Sequence, residues 1–317
     1  MRAPLSELSK MAEHRIALIG FGRIAQTQHL PAIAANPDFR LVAAVSRSDC
    51  RDPGIPLFKT VSALLAERDL SLDAVAICTP PDARHEIAAQ CLDVGLHLLL
   101  EKPAASSLGE AADIARRSRL AEKTAFATWH ARHQPAVRDA ARIIAKEGLS
   151  SLFVDWREDP QTWHPGQGWI WQPKGFGVFD AGLNALSIIT RLIPSPILVR
   201  AAAFTMHADG QQPIAAKLEM NAAGISGQII AEFDWRPNQE EHRVIKASTS
   251  AGTNLWIKDG GHPLIINSKA SAQKQSAGEY PALYARFARL IAAGRRDMDL
   301  EPLRIAADAY LIARHNS

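Results

Sequence analysis

Short, dense apolar runs alternate with helical patterns between residues 15 and 131. The runs are apolar almost throughout, which is typical of parallel strands that are covered on both faces. They are residues 16–19, 41–45, 75–78, 96–100 and 124–128. Two helical stretches, 82–95 and 107–122, lie between them. Strands and helices in alternation predict a doubly wound parallel sheet, the Rossmann arrangement of the α/β class.

The pattern changes after about residue 132. Between residues 197 and 267 we predict five or six strands that are separated by turn signals instead of helices, which indicates a large, mainly antiparallel open sheet. The other predicted elements are a helix at 135–146, a strand at 152–158, a loop at 159–177, and helices at 179–192, 280–293 and 301–314. We therefore expect a Rossmann domain at 12–131 and an α+β domain for substrate binding and oligomerisation at 132–317. The last helix is a candidate to pack back on the first domain.

Composition narrows the class of protein. The 317 residues are 47% hydrophobic and 22% charged, with a net charge of +3, which is ordinary for a globular protein of two domains. So small a basic excess predicts no nucleic-acid partner, and the apolar runs are too short to predict a membrane span. Three cysteines, Cys50, Cys78 and Cys91, have no zinc-site spacing, and no secretory signal is recognisable. We expect a cytoplasmic protein without a metal.

A glycine motif follows the first predicted strand. The strand runs into Gly20, Gly22, Arg23, Ile24 and Ala25, which form a G-x-G-x-x-A pattern at the start of a helix. The first glycine permits a tight turn, the second lets the backbone approach a pyrophosphate, and the alanine lets helix and strand pack closely. The anion is then bound by free N–H groups at the helix N-terminus. The motif predicts a dinucleotide cofactor.

The residues after the second strand suggest which dinucleotide binds. NAD sites usually have an acidic residue at this point, whereas this chain has Ser46 and Arg47. A carboxylate would repel a 2′-phosphate, while serine and arginine can bind and neutralise it. We therefore predict NADP, with NAD as a weaker alternative, and keep open that Arg47 is only a solvated surface residue.

Two further strands end in residues that we assign to the cofactor cleft. Cys78 ends one strand and is followed by Thr79 and Pro80, and Glu101 and Lys102 follow the next strand. Ligands of such sheets lie beyond the carboxyl ends of the strands. A lysine beside an oxidised nicotinamide can exchange protons near neutral pH if its pKa is depressed.

A helix and several aromatic residues predict the substrate site. Asp180 and Asn184 are four residues apart on a predicted helix and so share one face. Together they can bind a hydroxyl group through both its donor and its acceptor side. Tryptophan offers a sugar an apolar face and an N–H donor. The candidates for the remaining sugar hydroxyls are His130, Glu158, Trp163 and Trp235.

These motifs carry a family resemblance. The glycine motif, Glu101-Lys102-Pro103 and the pair Asp180/Asn184 resemble the glucose–fructose oxidoreductase/inositol dehydrogenase (Gfo/Idh/MocA) family over nearly the whole chain. The resemblance implies that the lysine and the aspartate face the substrate. Many relatives have histidine where this chain has Asn184, and asparagine cannot act as a general base.

A more specific resemblance is to the L-arabinose/D-galactose 1-dehydrogenases. It is carried by separated segments of both domains, at residues 127–130, 156–159, 163–171, 177–180, 184–187 and 233–236. It implies oxidation of the C1 hydroxyl of a pyranose such as L-arabinose, D-galactose or D-fucose to the aldonolactone. It also implies that Asp180 and Asn184 contact the sugar at C1.

Three questions stay open from the sequence. The general base is either neutral Lys102 or Asp180. The alternatives to an aldose 1-dehydrogenase are an inositol or other sugar dehydrogenase of the same family and a sensor that binds the cofactor without catalysis. An open sheet with one uncovered face favours a homodimer.

Overall fold

The computed structural model describes residues 13–47, 54–207, 211–238, 240–271 and 278–316. Cys50, the chain start and the start of the predicted first domain at residue 12 lie outside this part of the chain. Among the described residues, no helix has the length and apolar character needed to cross a bilayer.

The first sheet has six strands, and all of its pairings are parallel. They are β1 (His14–Ile19), β2 (Phe39–Val45), β3 (Leu57–Phe58), β4 (Ala74–Ile77), β5 (His97–Leu100) and β6 (Ala125–Ala127). Their order across the sheet is β3-β2-β1-β4-β5-β6, which confirms the predicted doubly wound fold. The two-residue strand β3 is too short to produce a readable apolar pattern and was not predicted.

Two of the helices of this half begin at a residue whose side chain caps them. The hydroxyl oxygens of Thr60 and Ser107 accept the N–H groups of Ala63 and Glu110, so each satisfies one free donor of a first turn. The helices are α1 (Leu30–Ala34), which continues a π-helical segment (Ala25–His29), α2 (Val61–Ala66), α3 (Pro81–Asp93) and α4 (Leu108–Leu120).

The second half supplies a nine-stranded sheet and five helices. Its helices are α5 (Pro135–Glu147), α6 (Pro160–Trp163), α7 (Phe179–Leu192), α8 (Glu279–Ala292) and α9 (Glu301–Ile312). Its strands are β7 (Leu149–Arg157), β8 (Ile197–Met206), β9 (Pro213–Ala222), β10 (Ile229–Asp234), β11 (His242–Thr249), β12 (Asn254–Ile257), β13 (Leu264–Ile266), β14 (Lys269–Ala270) and β15 (Arg314–Asn316). The predicted loop at 159–177 contains α6 and a 3₁₀ turn (Gly168–Trp171).

The second sheet is mixed but mainly antiparallel, as expected. Its order is β14-β13-β12-β11-β7-β10-β9-β8-β15. Two pairings are parallel, β7 with β10 and β8 with β15. Strand β15 was not predicted, because three polar residues at the chain end carry no strand pattern.

Helix α8 covers one face of the first sheet. Its buried residues Tyr280, Leu283, Tyr284 and Phe287 share a core cluster with strand residues such as Ile16 and with others on β1, β4 and β5. Burial of one such side chain contributes about 1.5–3 kcal/mol. Helix α9 contacts mainly α7 and β8, with a smaller contact to α4. The proposed domain boundary at residue 131 stays a prediction. Helix α8, which lies after this boundary in the sequence, covers one face of the first sheet.

Candidate active site

The glycine turn lies between the carboxyl ends of β1 and β4. Gly20 has φ +88°, and a Cβ atom at this position would lie 2.8 Å from the backbone nitrogen of Thr79. A side chain at Gly20 is therefore excluded by both strain and contact. A Cβ atom at Gly22 would meet nothing within 4 Å, so this glycine leaves open space above the turn. Ala25 is fully buried, as close helix–strand packing requires.

The residues around this space fit a dinucleotide. The hydroxyl oxygen of Thr79 is buried and has no hydrogen-bond partner in the part of the chain that the structure describes. A bound polar group would satisfy it. Arg23 and Ile24, in the first turn after the glycines, are exposed, and Cys78 and Pro80 beside Thr79 are half-buried. The open space and the unpartnered hydroxyl lie at the same sheet edge, where the fold binds nucleotides.

Ser46 and Arg47 lie at the end of β2, as predicted. The N–H of Ser46 donates to the carbonyl of Phe58 at 2.9 Å, so β3 holds the backbone at this point. Ser46 is 8% exposed, whereas the Arg47 side chain is exposed. An exposed arginine beyond the strand end is available to a phosphate group.

Lys102 joins the two halves of the chain. It follows β5, and its Nζ donates to both the carboxylate Oδ2 and the carbonyl oxygen of Asp180, each at 2.9 Å. Asp180 is in the first turn of α7. The two residues are 78 positions apart in the sequence, and their side chains are only 14% and 5% exposed.

His164 is the third member of this group. Its Nε2 lies 3.0 Å from Oδ2 of Asp180, the same oxygen that Lys102 contacts. Burial alone would raise the pKa of Asp180, but the charge of Lys102 and the hydrogen bond from His164 outweigh it and hold the pKa below its usual range. The aspartate is therefore an anion at neutral pH. His164 was not among the predicted site residues, because its place beside Asp180 depends on the path of the loop at 159–177.

Asn184 lies one turn after Asp180 on α7 and is half-buried. Its side-chain amide makes no hydrogen bond with residues of the described ranges. Its backbone carbonyl oxygen accepts a hydrogen bond from the hydroxyl of Ser187 at 2.7 Å. Gly182, between the two, faces the ring of Phe233 on β10, where a Cβ atom would lie 3.2 Å away. This glycine lets α7 approach the second sheet closely, which brings Asp180 and Asn184 to one end of that sheet.

Glu158, just after β7, is a buried carboxylate. Its Oε1 accepts the indole N–H of Trp156 at 2.9 Å, and its Oε2 accepts that of Trp235 at 3.5 Å. Burial raises the pKa of Glu158. Trp235 is only 1% exposed, and its ring contacts those of His164 and Trp171 edge-on. Glu158 and Trp235 therefore lie together, next to His164.

The structure directs His130 and Trp163 to other partners. His130 Nδ1 is 2.8 Å from Oε2 of Glu279 at the start of α8. Burial lowers the pKa of His130, but the charge and hydrogen bond of Glu279, together with the charge of Glu101, outweigh burial and raise it. Trp163 is 40% exposed, and its N–H donates to Glu241 at 2.6 Å.

Glu101 directs its carboxylate into the protein interior and is 4% exposed. It binds His29 and Tyr280. Among the described residues, no group of three or more histidine, cysteine or acidic side chains could hold a metal ion.

Comparisons with known proteins agree with this geometry. The GFO_IDH_MocA family profile, "Oxidoreductase family, NAD-binding Rossmann fold", matches residues 14–128. The chain is 40% identical to galactose 1-dehydrogenase of Pseudomonas fluorescens over 94% of this chain and 95% of that protein. The crystal structure of D-galactose-1-dehydrogenase from Rhizobium etli has a TM-score of 0.89 and 39% identity, covering 96% of this chain and 97% of that one.

A more distant structure shows the same fold. It is the 3-ketoreductase KijD10 of Actinomadura kijaniata in complex with TDP-benzene and NADP, in the open conformation. The identity is 18% and the TM-score 0.80, with 96% of this chain and 98% of that chain covered. The long match to a galactose 1-dehydrogenase, the family profile and the Rossmann sheet agree, and we conclude that the chain belongs to the GFO_IDH_MocA oxidoreductase family.

Proposed function

We propose that the protein is an NAD(P)+-dependent sugar 1-dehydrogenase that oxidises the C1 hydroxyl of an aldopyranose to the aldonolactone. The observation that carries the proposal is the contact between Lys102 Nζ and Asp180 beyond the carboxyl end of β5. It brings a proton-exchanging group to the sheet edge where the family binds its cofactor. The similarity to a galactose 1-dehydrogenase over 94% of the chain supports D-galactose as the first substrate to test.

The proton-transfer roles follow from the charges. When bound, NAD(P)+ supplies the acceptor for the hydride on C1. Asp180 is a weak base because Lys102 and His164 hold its pKa low. Lys102 is the cation of this pair, so it must first lose a proton to solvent; as the free amine it is a stronger base than the carboxylate, and after it takes the hydroxyl proton Asp180 stabilises the ammonium group that results. Asn184, one turn along α7, orients the same hydroxyl through its amide.

Glu158 and its neighbours form the wall of the substrate site in this proposal. The carboxylate is within reach of two indole N–H groups and of Arg243, whose Nη1 is 3.8 Å from Oε1. Because Trp235 is buried, it acts by holding Glu158 and not by stacking on a sugar. The ring of Trp163, which is 40% exposed with Arg243 over one face, is assigned to stacking at the rim, and His130 supports the floor through Glu279.

We propose NADP+ as the preferred cofactor and NAD+ as the alternative. Arg47 is exposed at the end of β2, with Ser46 beside it, and neither can repel a 2′-phosphate. The 3-ketoreductase KijD10, which has the same fold, is in complex with NADP, and this supports the proposal.

The test is a rate assay with purified protein, following the absorbance of reduced nicotinamide. The substrates are D-galactose, L-arabinose, D-fucose, D-xylose, D-glucose and myo-inositol, each with NADP+ and NAD+. Turnover of D-galactose or L-arabinose supports the proposal, and their ratio reports on the pocket around C5. Turnover of myo-inositol but of none of the sugars would contradict the proposal and support an inositol dehydrogenase. Cofactor binding without any turnover would favour a sensor.

Location and assembly are separate proposals. The cysteines predict a reducing cytoplasm. A homodimer through the open face of the second sheet is supported by exposed apolar side chains on its strands, such as Leu198 and Trp256 at 46% and 41% exposure. Sedimentation equilibrium would give the mass of the assembly.

A further inference from the structure

We propose that Tyr280 of α8 is a positioning residue for Lys102, and that it acts by holding the carboxylate of Glu101 against the main chain of Lys102. This inference rests on the proposed role of Lys102. It assigns a function to α8, whose Tyr280 lies 178 residues beyond Lys102 in the sequence and which has no motif of the cofactor site.

The carboxylate of Glu101 is bound by three donors. Its Oε1 accepts the hydroxyl of Tyr280 at 2.7 Å and Nε2 of His29 at 2.9 Å. Its Oε2 accepts the backbone N–H of Lys102 at 3.0 Å. The side chain therefore folds back on its own chain and fixes the peptide that carries the lysine.

The backbone on both sides of Lys102 is also held. The guanidinium of Arg84, which is 4% exposed, donates to the carbonyl oxygens of Glu101 and Pro103. With the N–H of Lys102 bound to Glu101, the main chain has little freedom to move. The direction of the Lys102 side chain toward Asp180 then depends on this network.

Tyr280 is placed by helix packing. Its side chain is only 4% exposed. The ring of Tyr280 contacts the ring of His29 edge-on and stacks on the ring of His130. Tyr284, one turn further along the same face of α8, bonds its hydroxyl to Nδ1 of His29 at 2.8 Å. The two tyrosines thus meet the same histidine, but only Tyr280 contacts Glu101.

The charges make the hydroxyl of Tyr280 important. Burial opposes ionisation of Glu101, but the hydrogen bond and charge of His29 outweigh it and lower the pKa of Glu101 below its usual range. A buried carboxylate needs all of its donors, because an unpaired lone pair in the interior is costly. Without the tyrosine hydroxyl, the carboxylate turns to recover a donor, and its bond to the Lys102 N–H weakens.

The experiment compares Tyr280→Phe with Tyr284→Phe in the full-length protein. Both changes remove one buried hydroxyl from the same helix face, so their effects on packing are matched. For Tyr280→Phe we expect kcat for the best sugar to fall about tenfold, with the KM for sugar and cofactor unchanged, because a displaced catalytic group slows the reaction without weakening binding. For Tyr284→Phe we expect kcat within about threefold of wild type.

A second readout does not need turnover. Hydrogen exchange measured by mass spectrometry on a peptide containing residues 101–104 reports the Lys102 amide. We expect exchange there to be about tenfold faster in Tyr280→Phe only. Equal kcat and equal exchange in the two variants would overturn the positioning role. If wild type oxidises no sugar, the proposed function fails, and the exchange result alone decides whether Tyr280 holds this segment.

Discussion

Replacement of Asp180 by asparagine tests the charge arrangement of the site most directly. The substitution keeps the size of the side chain and removes the negative charge that faces Lys102 Nζ and His164 Nε2, at 2.9 and 3.0 Å. Lys102, only 14% exposed, is then a cation without its counter-ion. Removing one member of a buried ion pair typically costs about 3–5 kcal/mol, and because asparagine retains one acceptor we expect about 3 kcal/mol of lost unfolding free energy.

Turnover should fall more steeply than stability. Without the Asp180 carboxylate, the ammonium formed when Lys102 takes the proton keeps only neutral acceptors such as the carbonyl oxygen of residue 180, and a misplaced proton acceptor slows the reaction by about 100-fold or more. The assays are kcat at saturating sugar and cofactor, and thermal unfolding followed by circular dichroism. The control is Asp113→Asn, which removes a carboxylate with three basic neighbours, His85, Arg116 and Arg117, at the surface of α4. Exposed ion pairs contribute little, so this control should keep wild-type turnover and stability.

The pH dependence gives a further check on the same substitution. The pKa of Asp180 is lower in the folded protein than in the unfolded chain, so the pair stabilises the fold above the unfolded-state pKa of about 3.9. This stabilisation is lost as the pH falls through the folded-state pKa. The stability difference between wild type and Asp180→Asn should therefore be constant near neutral pH and shrink below about pH 4. If the variant keeps kcat within threefold and unfolds at the wild-type temperature, the proposed charge arrangement is wrong.

Three further predictions concern the cofactor site and α8. Arg47→Ala should reduce kcat/KM for NADP+ by about tenfold, the loss expected for one charge-assisted contact, and leave NAD+ nearly unchanged; equal loss for both cofactors would contradict a phosphate contact. Gly22→Val should unfold close to the wild-type temperature because its Cβ meets nothing within 4 Å, yet bind cofactor weakly in a fluorescence titration, whereas Gly20→Ala should lower the unfolding temperature. Glu279 raises the pKa of His130 against the effect of burial, so this pair stabilises the fold below about pH 6.5, and the stabilisation is lost as the pH rises through the folded-state pKa. In Glu279→Gln, the free energy of unfolding should therefore fall less than in wild type as the pH rises through this range.

Local sequence patterns determined much of the fold. The apolar runs and the glycine motif predicted the parallel sheet and its nucleotide turn, because buried strands and tight turns each require particular residue types within a few positions. The helix predicted at 179–192 is α7 as observed, and its Asp180 and Asn184 share a face as the spacing requires. Each of these features depends on residues that are close together in the sequence, so the sequence alone was sufficient to predict it.

Tertiary structure decided which residues meet. The contacts of Lys102 with Asp180 and of Tyr280 with Glu101 join positions 78 and 179 residues apart. His164 reaches Asp180 through a loop whose path no periodic pattern describes. In each case partner choice depends on how the helices pack on the two sheets. The neighbours that each buried carboxylate acquires in this way set its charge, and no local pattern in the sequence encodes them.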